Sequence, residues 1–263
     1  MSEVVSARRR RLAKLCGWAV VAAACAPAGL AAGLPELVAA ARGSVVAIGT
    51  FNALDNPRFT FRGSGFAVGD GRQVLTNLHV LPPAGDPAFG SPLTVQRRLD
   101  DGRLDPRAAT LVATDRRHDL ALLKIDGEPL TALPLADGGD AREGQAVAFI
   151  GYPIGGLLGF APVTHRGIVS SVTSVALPAP NAGALGAPAV AALREGAFAV
   201  YQLDATAYPG NSGGPLFDVD DGKVIGIVNM VLVRRTRESA LTAPSGISYA
   251  IPIRHARALL EPR

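Results

Sequence analysis

From about residue 40 onward the chain is a succession of short segments rich in Val, Ile and Leu, each ended by Gly, Pro or Asp. Apolar or alternating runs of this length predict strands, and the longer 3.6-residue period of amphipathic helices is missing from them. Strands are expected near Ser44 to Phe51, Gly63 to Val68, Gln73 to Asn77, Leu93 to Arg97, Ala109 to Thr114 and Leu120 to Ile125, enough for one barrel-sized sheet. The stretch 126–144 (DGEPLTALPLADGGDAREG) is richer in turn residues and charge, as a connection would be. A second set follows near Ala146 to Tyr152, Thr164 to Val175, Ala199 to Leu203, Pro215 to Asp218, Val224 to Val233 and Ser248 to Ile251. The tail from Pro252 to Leu260 starts on Pro and keeps apolar residues on one face, which predicts a terminal helix. Between Leu177 and Gly196 the Ala, Pro and Gly content predicts a surface insertion, and no internal repeat recurs at a fixed period. The fold class is all-β.

The opening of the chain has a different pattern. Arg8, Arg9, Arg10, Arg11 and Lys14 precede an uncharged apolar run from Leu15 to Ala26, followed by the small residues Ala26, Ala28, Ala31 and Ala32. This is the outline of an export signal, with cleavage after Ala28 or Ala32. Arg9 to Lys14 also has the outline of a twin-arginine signal, so export by either the general or the twin-arginine route fits. The apolar run is about 12 residues, short of the roughly 20 a membrane-spanning helix needs. The expected location is therefore periplasmic or secreted. The alternative is an uncleaved segment anchoring the protein to the inner membrane, the one way it would meet a membrane.

Composition sharpens this. The chain has 263 residues, 48% hydrophobic and 18% charged, with 30 Gly and 20 Pro, which argues against collagen, disorder or a multi-span membrane protein. The net charge of +4 is confined to residues 1–32, which hold five basic residues and one acid; the remainder carries 21 groups of each sign. A neutral body lacks the electrostatic footprint of phosphate binding, so nucleic acid is excluded as a partner. Cys16 and Cys25 both lie in the leader, so neither a disulfide nor a thiol nucleophile is expected in the body.

The most informative segment is Pro209-Gly210-Asn211-Ser212-Gly213-Gly214-Pro215-Leu216. A serine framed by glycines can sit on a sharp turn, its hydroxyl accessible and neighbouring N–H groups free to point at a developing oxyanion. Thr76-Asn77-Leu78-His79-Val80 puts a histidine just after a strand, and His118-Asp119-Leu120 puts an aspartate at the mouth of an apolar strand. A serine hydroxyl is a poor nucleophile at neutral pH unless an imidazole accepts its proton, and the imidazole in turn needs a carboxylate to fix its tautomer and stabilise the imidazolium. For Asp119 the competing reading is a strand-end carboxylate making a local hydrogen bond, with Asp115 close by.

The order His, Asp, Ser and these surroundings resemble the chymotrypsin-like fold, and specifically the HtrA/Deg family of exported serine proteases. The resemblance covers roughly residues 36 to 260. It rests on Gly63-Ser64-Gly65-Phe66, Thr76 to Val80, Asp119 to Ile125, Ile150-Gly151-Tyr152-Pro153, Gly167-Ile168-Val169-Ser170, Asp204 to Leu216 and Tyr249-Ala250-Ile251-Pro252. It implies two six-stranded antiparallel β-barrels with a C-terminal helix, spanning residues 33–136 and 137–263 after a leader at 1–32. It implies His79 as general base, Asp119 as its orienting partner, Ser212 as nucleophile, and the Gly210 and Ser212 N–H groups as the oxyanion hole, meeting in the cleft between the barrels. Neither cofactor nor metal is implied. The implied activity is an exported endopeptidase acting on polypeptides, namely unfolded or damaged envelope proteins. The alternative is a protease-fold binding or chaperone protein with a latent site.

In related folds the primary pocket is walled by the segment before the nucleophile and by a following strand, here Thr206, Ala207, Val231 and Leu232. An uncharged wall favours a small or medium aliphatic side chain, because burying a charge without a partner is costly. Two departures bear on this preference: Tyr208 stands where the family commonly has asparagine, and the 177–196 insertion lies in a region that shapes the site. Most family members append a PDZ domain; after the last strand this sequence continues for barely a helix, so none is expected. Members often form trimers through aromatics near the start of the protease domain, and Phe51, Phe59 and Phe61 serve either that contact or a local core. His118, His165 and His255 read as scattered surface or hydrogen-bonded residues, the Asp218 to Gly222 segment as a hairpin turn, and Arg234, Arg235 and Arg237 as a solvated loop.

Overall fold

The structure, a computed structural model, describes residues 33–154, 159–175, 197–230 and 246–261. The expected leader, the 177–196 insertion and the Arg234 cluster lie outside the described residues. After a short helix α1 (Leu34–Ala41), six strands close the first barrel: β1 (Val45–Phe51), β2 (Phe59–Val68), β3 (Gln73–Asn77), β4 (Leu93–Arg98), β5 (Leu104–Asp115) and β6 (Leu120–Ile125). The second barrel is β7 (Ala146–Gly151), β8 (Val163–Val175), β9 (Phe198–Asp204), β10 (Pro215–Asp218), β11 (Val224–Val228) and β12 (Ile247–Pro252), followed by helix α2 (Arg254–Leu260). All pairings between these strands are antiparallel. Counting from its own first strand, each barrel closes in the order 1-2-3-6-5-4. The topology is thus repeated although the sequence is not. Closure leaves no unpaired sheet edge.

The expected β3, β6 and β10 match the observed strands end to end. Others are longer. β2 begins at Phe59 and β5 at Leu104, both through residues that are largely half-buried or exposed and so lack an apolar run. β11 ends at Val228, and the expected continuation past residue 230 lies outside the described residues. The terminal helix starts at Arg254 rather than Pro252, because Pro252 is the last rung of β12, opposite Gly226. Helix α1 has no counterpart in the sequence reading: only Leu37 and Ala41 of its residues are buried, too narrow a stripe to stand out. Among the described residues no helix is long and apolar enough to cross a membrane.

Packing forms three clusters. One fills the first barrel around Ile48, Val74 and Leu123, and one fills the second around Val147, Tyr201 and Val228. The third runs between them, joining Phe66, Leu75 and Leu122 of the first barrel to Ile150, Phe217 and Ile251 of the second, with Leu37 of α1 and Leu259 of α2 against it. Burying these side chains is the main favourable term in the assembly. It fixes the two barrels as one body. The connection between them reinforces this: Leu130 and Leu133 donate N–H bonds to Gly71 and Ala67 of the first barrel, while Ala136 and Val224 exchange with Val224 and Pro134 on the second. Of the three aromatics Phe51, Phe59 and Phe61, the last two pack edge-on against Phe160, with centroids 5.5 and 5.9 Å away, and Phe51 is exposed.

Helix α2 is tied to the first barrel by histidines. His118, in the turn before β6, places Nδ1 2.5 Å from Asp115 Oδ2 and stacks on His255 of α2 at 3.9 Å, with Phe198 edge-on to both rings. These residues form one cluster, not scattered surface groups. Burial pushes the His255 imidazole down to about 4, the positive charges of His118, Arg254 and Arg117 adding to the effect and Asp115 opposing it. The unfolded chain takes up this proton near the ordinary histidine value of about 6.5. The stabilisation is therefore complete above that pH and is lost as the pH falls toward 4. Thermal melting should show it: the melting temperature should drop between pH 7.5 and pH 5 by more in the wild type than in His255→Phe, which keeps a stacking ring without a titrating nitrogen. Equal drops would remove His255 from the acid sensitivity.

Candidate active site

The site grows from the ends of strands that meet between the barrels. β3 ends at Asn77 and the chain turns through a single 3-10 turn, Leu78–Val80, which carries His79. Asp119 precedes β6, the hydrogen-bonded neighbour of β3, in a left-handed conformation (φ 55°) that short polar side chains tolerate. The two turns lock together: Leu78 N–H and the Asn77 side-chain amide donate to the Asp119 carbonyl at 2.9 and 3.2 Å. The Asp119 carboxylate then accepts the His79 N–H at Oδ1 (2.9 Å) and sits 2.5 Å from His79 Nδ1 through Oδ2. With Asp115 occupied by His118, the structure distinguishes the two carboxylates: Asp119 is the partner of His79. The His79 side chain remains 29% exposed, and among the described residues its far nitrogen, Nε2, makes no hydrogen bond.

Ser212 comes from the second barrel, in the tight turn before β10. Asn211 N–H donates to the Tyr208 carbonyl and Gly214 N–H to the Asn211 carbonyl, both at 3.0 Å. Two glycines permit this path. Gly210 (φ 101°) and Gly213 (φ 87°) lie in the left-handed region, and a Cβ on either would collide with backbone, that of Tyr152 and of Ser64 respectively.

Consecutive residues bring the serine to the histidine–aspartate pair. At the end of β11 the Asn229 side-chain amide donates to Asp119 Oδ2 at 2.7 Å, and the next N–H, that of Met230, donates to Ser212 Oγ at 3.1 Å. Two consecutive residues, 229 and 230, thus touch Asp119 and Ser212, while Asp119 also holds His79. Ser212 Oγ is engaged with Met230; among the described residues it makes no direct hydrogen bond to His79.

The turn is also pinned from the first barrel. Ser64 N–H donates to the Ser212 carbonyl (2.8 Å), and Ser64 Oγ donates to the Gly210 carbonyl (2.6 Å) while accepting from Tyr152 N–H (2.9 Å). The Ser64 carbonyl accepts the Thr76 hydroxyl one residue before Asn77 (2.7 Å). Tyr152 in turn donates through its hydroxyl to the Val45 carbonyl, and burial pushes that phenol up to about 12. On the other side the Pro209 carbonyl accepts Ile154 N–H at 2.8 Å. In a trans peptide C=O and N–H point in opposite directions, so this bond aims the Gly210 N–H away from Ile154. Neither the Gly210 N–H nor the Ser212 N–H has an acceptor among the described residues.

Of the expected pocket residues, Ala207 is buried in the core of the second barrel and Thr206 is partly buried. Val231 and Leu232 lie outside the described residues. No three His, Cys, Asp or Glu side chains gather as a metal centre would require, among the described residues. Sequence reasoning missed Asn229 and the bonding role of Ser64. Asn229 left one trace, a polar residue interrupting the apolar run from Val224 to Val233. Ser64 left none beyond its place in a motif, because its partners are 88 and 146 positions away.

Comparison with known proteins places the chain in a family with this fold. The sequence profile of the Trypsin-like peptidase domain matches residues 63–227. A protein of Marinomonas sp. named a probable periplasmic serine endoprotease DegP-like is 36% identical over 199 residues, covering 76% of this chain and 34% of that protein. A Halomonas elongata protein of the same name is 35% identical over 191 residues, covering 73% and 32%. The mitochondrial serine protease HTRA2 of Drosophila virilis is 33% identical over 200 residues, covering 76% and 39%. The chain spans about a third of the length of the two bacterial relatives. With two closed barrels, a histidine–aspartate pair on one and a glycine-framed serine on the other, the chain belongs to the trypsin-like peptidase family, and its protease domain is HtrA-like.

Proposed function

We propose that the chain is a serine endopeptidase that cleaves polypeptides by acyl transfer to Ser212. The observation that carries this reading is the pair of bonds from residues 229 and 230, which join Asp119 to Ser212 while Asp119 also holds His79. Because Asp119 Oδ2 engages Nδ1, that nitrogen keeps the ring proton and Nε2 is left as the base. Ser212 Oγ accepts a bond from Met230 and still carries its own proton. Rotation about its Cα–Cβ bond turns the hydroxyl to His79, Nε2 takes the proton as Oγ attacks the scissile carbonyl, and Asp119 stabilises the imidazolium. The Gly210 and Ser212 N–H groups meet the oxyanion. His79 then returns the proton to the leaving amine, and water repeats the sequence on the acyl-enzyme.

The basic leader with its apolar run, and relatives named as periplasmic, support action in the cell envelope on unfolded or damaged proteins. Thr206, Ala207, Val231 and Leu232 offer no charge, which favours small or medium aliphatic side chains before the cleaved bond. One observation favours a second reading, in which the site is latent and the protein acts mainly by binding: Ser212 Oγ is bonded to Met230 and not to His79.

Labelling by a serine-directed phosphonate separates the two readings. The purified mature chain should label and should cleave casein, and Ser212→Ala should lose both; labelling that persists in the mutant would remove Ser212 from its role. Asn229→Ala should remain folded and keep Ser212 yet lower kcat by about 10- to 100-fold, the effect of removing one hydrogen bond to a charged partner. An unchanged kcat would show that Asp119 needs no second donor.

A further inference from the structure

Asn211 lies between the two residues whose N–H groups face the oxyanion, and it is fully buried. Its backbone closes the turn in both directions, through Tyr208 and Gly214. Any rotation of Asn211 therefore tilts the peptides of Gly210 and Ser212. What holds its side chain is a residue that the triad does not use. Among the described residues the polar partner of the Asn211 amide is His165, with Nδ2 3.4 Å from the ring Nε2, while Asn211 Oδ1 is buried without a partner against Gly151.

His165 is built to stay in place. It lies on β8 opposite Phe149 of β7, its ring stacked on the Phe149 ring at 4.8 Å and 20°. Tyr208, whose carbonyl anchors Asn211, covers it at 5.8 Å. Burial pushes the imidazole below the ordinary histidine range, which favours the neutral ring, and in the tautomer with its proton on Nδ1 the Nε2 atom accepts from the Asn211 amide. A ring stacked on one aromatic and in contact with a second, touching the one side chain between the candidate oxyanion donors, is an arrangement for setting geometry.

Resting on the hydrolytic reading of Ser212, we propose that His165 is a positioning residue of this site, acting through Asn211 to hold the Gly210 and Ser212 N–H groups in the orientation the oxyanion requires. Ser64 holds the Gly210 and Ser212 carbonyls from the first barrel. His165 holds the side chain between them from the second. A defect here weakens transition-state stabilisation and spares substrate binding, so it appears in kcat and not in KM.

The test compares the full chain with His165→Phe, which keeps the stacked ring and removes Nε2, and with His165→Gln, whose amide places a polar atom at the reach of Nε2. Asn211→Ala, the double variant with His165→Phe, and Ser212→Ala complete the set. Turnover of fluorescent casein and thermal melting are measured on each. His165→Phe should lower kcat by about 10- to 100-fold with KM within about threefold, less than the 10²- to 10³-fold typical of losing an oxyanion donor outright. His165→Gln should restore most of the rate, and the double variant should be no slower than Asn211→Ala alone, because the two residues act in series. A His165→Phe enzyme as fast as wild type would overturn the inference, as would a loss confined to KM, a Gln variant as slow as Phe, or additive losses in the double variant. Should His165→Phe melt early, the Gln variant and the cycle through Asn211 still decide. Turnover that survives Ser212→Ala would instead bring down the hydrolytic reading, a result distinct from an inert His165 substitution with a dead Ser212→Ala.

Discussion

The site depends on one residue that touches both barrels. Ser64, on β2, gives its N–H to the carbonyl of Ser212 and its hydroxyl proton to the carbonyl of Gly210, and it accepts the N–H of Tyr152. Ser64, Ser212 and Tyr152 are buried and Gly210 is half-buried, so breaking these bonds would leave polar groups costly to keep unpaired. The path of the nucleophile turn in the second barrel is consequently dictated by the first. His79 and Asp119 belong to that same first barrel, which means that one element positions the base and constrains the serine it would deprotonate.

Around that tie the structure uses glycine where nothing else fits and apolar burial where rigidity is needed. Gly213 leaves room for the Ser64 carbonyl and the Thr76 hydroxyl, and Gly63 for the Ser212 carbonyl. The shared cluster of Phe66, Leu75, Ile150, Phe217 and Ile251 prevents the barrels from sliding, which hydrogen bonds alone would resist poorly. Dense packing under a polar site is what lets bonds near 3 Å be maintained without a flexible hinge. The same logic extends outward: α2 is fastened to the turn that leads into Asp119 by stacked histidines, so the carboxylate is supported from behind as well as from Asn229.

What the sequence made legible was what local order encodes. His79, Asp119 and Ser212 stood out because each sits at a strand end next to residues that make the turn, and β3, β6 and β10 because their apolar runs are bounded by turn residues. What it hid was set by distance along the chain or by weak patterning. Ser64 and Asn229 look like ordinary strand residues until the barrels close and place them 146 and 110 positions from their partners. The exposed halves of β2 and β5 and the narrow buried stripe of α1 lacked the hydrophobic contrast that a reading by periodicity requires. His118 and His255 read as isolated because the stacking that joins them is a tertiary contact.

Control of the nucleophile turn by Ser64 is read from the second-order rate at which a serine-directed phosphonate reacts with Ser212 in wild type and in Ser64→Ala, with near-ultraviolet circular dichroism confirming that both barrels stay packed. Ser64 governs the turn without reacting itself, so Ser64→Ala should fold and label at least about tenfold more slowly. A folded Ser64→Ala protein that labels at the wild-type rate would contradict it.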